Sequence, residues 1–137
     1  MNKRLGGCAC GAIRFVINAP VKDVGVCHCK DCQKASGGPP NYVALVPTHA
    51  FEVTQGEPAQ YKSEAESGRQ AIRVFCSNCG SPLWSVAPLM PFTPIKLGAL
   101  DDSSDLRPGV HLYTASAASW HFRDEDLPSF EKMPPVA

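Results

Sequence analysis

The alternation of apolar and polar positions is clearest near the start of the chain. Ala12 to Asn18 sets Ile13, Phe15 and Ile17 on one face and Arg14 and Val16 on the other. That period of two predicts a half-buried strand, and Ala19-Pro20 ends it. Tyr42 to Val46 predicts a further strand. Phe51 to Thr54 and Ala59 to Lys62 flank Gln55-Gly56-Glu57-Pro58, which predicts a hairpin. Ala71 to Phe75 runs into Cys76-Ser77-Asn78-Cys79-Gly80, a knuckle-like turn whose amides can donate to sulfur. Leu83 to Val86 returns from it as a hairpin partner. Pro88, Pro91 and Pro94 interrupt the segment after it, so Ile95 to Leu100 is the next predicted strand and Val110 to Ala115 the last. Asp31 to Ser36 predicts one or two helical turns, stopped by Gly37-Gly38-Pro39-Pro40. Ser63 to Arg69 reads as an exposed turn and Asp101 to Asp105 as a solvated acidic loop. Trp120 to Pro135 reads as an irregular tail that packs Trp120, Phe122 and Phe130 back on the body. Short, evenly spaced strands with frequent glycine and proline predict an all-β fold.

Composition narrows the class. At 137 residues the chain is one domain's worth, with a core that benefits from staples. Thirteen basic against thirteen acidic residues, without a basic block, argue against nucleic acid or an anionic membrane as the main partner. No apolar run approaches the roughly 20 residues that span a bilayer. Met1 to Cys8 has basic residues but no apolar segment behind them, so it is not read as a secretory signal. The expected location is the cytoplasm, where thiols stay reduced and clustered cysteines serve as metal ligands more often than as disulfides.

The seven cysteines divide as four plus three. Cys8-Ala9-Cys10 and Cys76-Ser77-Asn78-Cys79 make a complete four-thiolate set, expected to hold a structural zinc that staples the first strand to a later hairpin. The glycines of Gly6-Gly7-Cys8-Ala9-Cys10-Gly11 let backbone amides approach a metal-bound sulfur. Cys27-His28-Cys29-Lys30-Asp31-Cys32 places three thiols in six positions and leaves a fourth tetrahedral position without a local occupant. Three readings of this set stand open: a zinc site with an open position, as in catalysis; a structural site closed by His28 or a distant side chain; or a redox cluster. His28, between two ligands, reads as an acid–base or supporting group rather than a ligand. His49, His111 and His121 read as surface or satisfied core histidines, His121 as a possible pocket neighbour of Trp120. No Ser-His-Asp order, phosphate-binding glycine loop or dinucleotide fingerprint is present.

Gly7-Cys8-x-Cys10-Gly11, Cys27-His28-Cys29-x-x-Cys32 with Ala35-Ser36-Gly37, and Phe75-Cys76-x-x-Cys79-Gly80 resemble the glutathione-dependent formaldehyde-activating enzyme family. Gly98-Ala99-Leu100-Asp101-Asp102 and the stretch from His111 through Trp120 to Asp126-Leu127-Pro128-x-Phe130 extend the resemblance over essentially residues 1–137, read as a single domain. The resemblance implies a β-tent fold with two zinc ions. Cys8, Cys10, Cys76 and Cys79 would hold the structural ion, and Cys27, Cys29 and Cys32 the catalytic or labile one. It further implies carbon–sulfur lyase activity, the joining of formaldehyde to the thiol of glutathione or the reverse cleavage, with His28 the candidate catalytic residue. The expected partners are therefore a small thiol and a small carbonyl compound. Two readings from other classes stand beside it: a non-catalytic zinc-stabilised binding module of the same fold, and a thiol redox enzyme using the Cys27-Cys29-Cys32 cluster.

Overall fold

A computed structural model of the chain describes residues 3–65 and 68–134. Residues 66 and 67 of the expected exposed turn, and Pro135 of the expected tail, lie outside the described residues. Among the described residues, ten strands and one α-helix follow in order: β1 (Lys3–Gly7), β2 (Arg14–Asn18), β3 (Asp23–Cys27), α1 (Lys30–Ser36), β4 (Asn41–Pro47), β5 (Phe51–Gln55), β6 (Ala59–Glu64), β7 (Gln70–Phe75), β8 (Pro82–Val86), β9 (Phe92–Lys96) and β10 (Val110–Leu112). They form two sheets, a small one in the order β1-β2-β5 and a large one in the order β10-β3-β4-β9-β8-β7-β6. Among the described residues, the pairings between these strands are antiparallel except β10 with β3. The all-β class expected from the sequence is the class observed.

The core lies between the sheets. Phe15 and Ile17 of the small sheet pack with Ala44, Val46, Val74, Leu83, Trp84 and Ile95 of the large one, all buried. Phe15, Phe51 and Trp84 form an aromatic triad with centroids 4.8 to 5.9 Å apart and tilted or edge-on rings, the geometry that ring quadrupoles favour.

Four expectations are corrected. First, β5 and β6 are not a hairpin. β5 pairs with β2, and β6 pairs with β7 in the other sheet. Gln55-Gly56-Glu57-Pro58 is a crossing between sheets, and Gly56 makes it possible. Its φ is +83°, and a Cβ there would lie 2.3 Å from the Ala12 carbonyl oxygen. We expect Gly56→Ala to destabilise the zinc-loaded protein by about 3 kcal/mol in denaturant titration, the sum of left-handed strain and overpacking. Gly68→Ala, at φ +85° but in open surroundings, should lose about 1 kcal/mol.

Second, the strand expected at Ile95 to Leu100 runs instead over Phe92–Lys96 and gives way to a single 3-10 turn at Leu97–Ala99. Pro94 is tolerated because β9 is tied to β8 only at Trp84↔Ile95 while it lies along five residues of β4. Third, the last strand stops at Leu112, because Tyr113 takes a left-handed conformation (φ 56°) and a 3-10 turn follows. Fourth, the tail does not bury its aromatic residues. Trp120 is 68% and Phe122 92% exposed. Only Phe130 is half-buried, held by a short run of backbone bonds beside β10. The acidic loop is exposed but tethered: Asp101 pairs with Arg14, and Asp105 with Arg4.

Candidate metal centre

The topology brings both cysteine sets together. Cys8 and Cys10 follow β1, and Cys76 and Cys79 occupy the turn between β7 and β8, so four sulfurs from the two sheets meet within 4.8 Å of one another. The Sγ separations of 3.6 Å for Cys8–Cys10 and 3.8 Å for Cys10–Cys76 match the edge of about 3.8 Å that a zinc–sulfur bond of about 2.3 Å gives a tetrahedron. Donors already surround these sulfurs. The Ile13 amide donates to Cys8 Sγ at 3.2 Å, the Asn78 side-chain amide to Cys10 Sγ at 3.2 Å, and Ser81 Oγ lies 3.2 Å from Cys79 Sγ. The Ser81 hydroxyl and the Ser81 and Cys10 amides bring the Cys79 thiol down to about 5. This is a site prepared for thiolates. The donor set fits a tetrahedral zinc.

The second set sits where β3 runs into α1. Cys27 ends the strand, Cys29 caps the helix and Cys32 lies in its first turn, with the three sulfurs again within 4.8 Å. The helix starts here because Cys29 Sγ accepts the Cys32 amide at 3.3 Å, and it ends at Gly37, whose φ is +88°. Gln33 pins the segment from the other side, donating to the carbonyls of His28 (2.7 Å) and Ser116 (2.9 Å). Hydrogen bonds from Cys27 and Cys29, followed by the charge of Arg73, bring the Cys32 thiol down to about 2, while the Cys27 thiol is pushed up. Among the described residues no fourth histidine, cysteine or carboxylate joins the group. The set fits a thiophilic metal gripped from one side.

Two cations that the sequence pattern did not single out face this cluster. Arg73 Nη2 is 3.8 Å from Cys32 Sγ, and Lys96 is half-buried within electrostatic reach of Cys32 and Cys27. The available signal was a charge next to the apolar Val74 of β7 and another ending β9, positions whose neighbours are core.

His28 turns away from the sulfurs. It is 1% exposed, and its Nε2 lies 2.9 Å from Nδ1 of His111, which is 3% exposed. His121 completes the group, its ring 5.9 Å from that of His28 and its Nε2 3.4 Å from the Tyr42 hydroxyl. His111 is thus a core residue, and the His121 ring lies edge-on to that of Trp120, 6.4 Å between centroids. His49 is exposed. Burial, then the charges of His111, Arg123 and His121, hold the His28 pKa down to about 4, and burial also depresses that of His111. A depressed folded value means that the unfolded chain binds more protons below the ordinary imidazole pKa of about 6.5. Stability is therefore full above that pH and is lost as the pH falls. We expect the melting temperature to drop between roughly pH 7 and pH 5, with a shallower slope in His111→Gln than in wild type. Equal slopes would remove this contribution.

Comparison with known proteins points the same way. The sequence model of the family described as glutathione-dependent formaldehyde-activating enzyme matches residues 3–116, which include all seven cysteines. A Halomonas elongata protein, provisionally named a glutathione-dependent formaldehyde-activating enzyme, is 31% identical over 124 residues, covering 84% of this chain and 77% of that protein. A Rhodobacter sphaeroides protein of known crystal structure shares the fold, with a TM-score of 0.58 at 19% identity, over 74% of this chain and 93% of its own.

Proposed function

Since this chain belongs to the glutathione-dependent formaldehyde-activating enzyme family, we propose that it is a cytoplasmic zinc-dependent carbon–sulfur lyase. It joins glutathione or another small thiol to formaldehyde or a related small carbonyl compound, or cleaves that adduct. The observation that carries the reading is the open three-sulfur cluster of Cys27, Cys29 and Cys32, set apart from a closed four-sulfur one. Zinc, when bound by the three, would deprotonate an incoming thiol, whose free pKa is near 8.5, and hold it in place.

The rest of the work falls to the chain. Three thiolates leave their site with a net charge of about −1, which favours a thiol over activated water. Arg73 and Lys96 face that excess charge. As the thiol sulfur adds to the carbonyl carbon, the C=O π bond opens and its oxygen takes up a proton, balancing the one lost from the thiol. His28 or water supplies it. A neutral His28 bonded to His111 favours water as the immediate donor, with His28 steadying the backbone between Cys27 and Cys29.

The test is exchange NMR with labelled formaldehyde and glutathione. The zinc-loaded protein should accelerate interconversion of free formaldehyde and hydroxymethyl thioether well beyond the uncatalysed rate. An unchanged rate with glutathione and with other thiols would refute the lyase. The second reading, a binding module, has the exposed Trp120 and Phe122 on its side and predicts no response to thiols.

A further inference from the structure

The two cysteine sets are surrounded by different chemistry. At the four-cysteine set the groups beside the sulfurs are neutral: the Ile13 amide, the Asn78 side-chain amide and the Ser81 hydroxyl. Arg14 acts on Cys8 electrostatically but is tied to Asp101. Cys10 and Cys79 are exposed, so water screens the charge of a full thiolate shell. The three-cysteine set is faced by cations instead.

Strand register puts these cations on the face of the large sheet that carries Cys27. Directly paired residues share a face, as do residues two apart on one strand. Val74 with Trp84, Trp84 with Ile95, and Ile95 with Ala44 are such pairs, and they make the core face. The residues next to them, Arg73 paired with Ser85 and Lys96 paired with Val43, therefore take the other face. Val43 in turn pairs with Gly25, two positions before Cys27. From that face Arg73 Nη2 reaches within 3.8 Å of Cys32 Sγ. Both cations are half-buried, and among the described residues the carboxylate ion pairs are Arg4–Asp105 and Arg14–Asp101, which include neither. Burial lowers the Lys96 pKa, and the charge of Cys32 acts to raise it. A half-buried cation without a carboxylate gains from an anion set beside it.

Three thiolates around a divalent ion leave a charge of about −1, which Arg73 and Lys96 turn into about +1. A neutral fourth ligand leaves that charge in a half-buried place, whereas an anionic one cancels it. We infer that Arg73 and Lys96 select the charge of the fourth ligand, so that the open position takes a soft anion in preference to a neutral donor. They are specificity-determining residues that act by charge rather than by shape. The inference rests on the reading of the three-cysteine set as an open metal site. It adds a reason for the openness: the chain supplies the countercharge for a fourth thiolate without supplying the thiolate.

The test uses cobalt-loaded protein and follows the absorption of the metal in the three-cysteine site, with the Cys29→Ser spectrum as the background of the other site. Three ligands without a carboxylate are compared. 2-Mercaptoethanol enters as a thiolate, thiocyanate is an anion but not a thiol, and imidazole is neutral. In wild type thiocyanate should bind more tightly than imidazole, although imidazole is a good ligand for such metals. Lys96→Met and Arg73→Met should each weaken 2-mercaptoethanol and thiocyanate about tenfold and leave imidazole unchanged. Arg73→Lys, which keeps the charge, should keep most of the affinity for both anions. A metal content of two ions per chain shows that a variant retains both sites. Imidazole binding as tightly as thiocyanate in wild type, or equal weakening of all three ligands in a variant that retains both ions, would overturn the inference. Thiol entry would then still stand on the response to 2-mercaptoethanol. A response to thiocyanate with none to any thiol would uphold selection by charge and remove the lyase reading. No response to either anion in wild type would overturn both.

Discussion

Cys76→Ser is expected to yield a chain that does not fold cooperatively. Cys76 is 1% exposed and belongs to the core, and its sulfur lies 3.8 Å from that of Cys10, which comes from the other sheet. The four-cysteine set thus ties together two sheets that are otherwise joined by apolar packing and by the bonds and ion pairs of β1 and β2 to residues 100–105. Structural zinc sites contribute on the order of 10–16 kcal/mol to small metal domains, whereas a whole domain is stable by only about 5–15 kcal/mol. Losing one of four ligands therefore removes more than the domain has to spare. The expected result is a melt without a cooperative transition and a zinc content well below that of wild type. A cooperative melt near the wild-type temperature would show that the packed core suffices and that the four-cysteine set is not the staple.

Cys29→Ser is expected to do the opposite, abolishing thiol-dependent activity while leaving the fold. Cys29 is a ligand candidate and also the helix cap, accepting the Cys32 amide through its side chain. Serine is a better cap than cysteine, so α1 keeps its first turn. What is lost is one of three sulfurs in a cluster that has no fourth partner among the described residues, and two remaining thiolates hold zinc poorly. Zinc content should fall from two ions per chain to one, the melting temperature should stay within a few degrees, and exchange between formaldehyde and the thiol adduct should return to the uncatalysed rate. Full activity in this variant would overturn the mechanism.

These opposite expectations for two cysteines rest on a division that is legible in the sequence. Cys8, Cys10, Cys76 and Cys79 are two tight pairs, and Cys27, Cys29 and Cys32 one triplet. Sequence spacing alone separates a closed set from an open one, and the fold brings each together as expected. The elements around them are readable where alternation or a glycine stop marks them, as at Phe15 and Ile17 of β2 or at Gly37 after α1, whereas β1 and β3, which lead into Cys8 and Cys27, carry no such mark and are not foreseen. Local pattern does not carry partnership between distant segments. Gln55 to Pro58 has the composition of a tight turn, yet β5 finds β2 and β6 finds β7, because pairing is decided by which apolar faces close the core. Arg73 and Lys96 escape notice for the same reason. A charge on a strand reads as a solvated position until the fold shows thiols beside it. Trp120 and Phe122 mislead in the other direction, since aromatic content suggests burial, yet the tail leaves both rings largely exposed.

The proposed chemistry depends above all on an external thiol entering the open position of the three-cysteine site. Replacing zinc with cobalt and titrating glutathione, while recording the thiolate-to-metal absorption, reads that step itself. A saturable change is expected in wild type and none in Cys29→Ser, with the signal of the four-cysteine site constant throughout. A wild-type spectrum unmoved by glutathione and by simpler thiols alike would contradict thiol entry at this site.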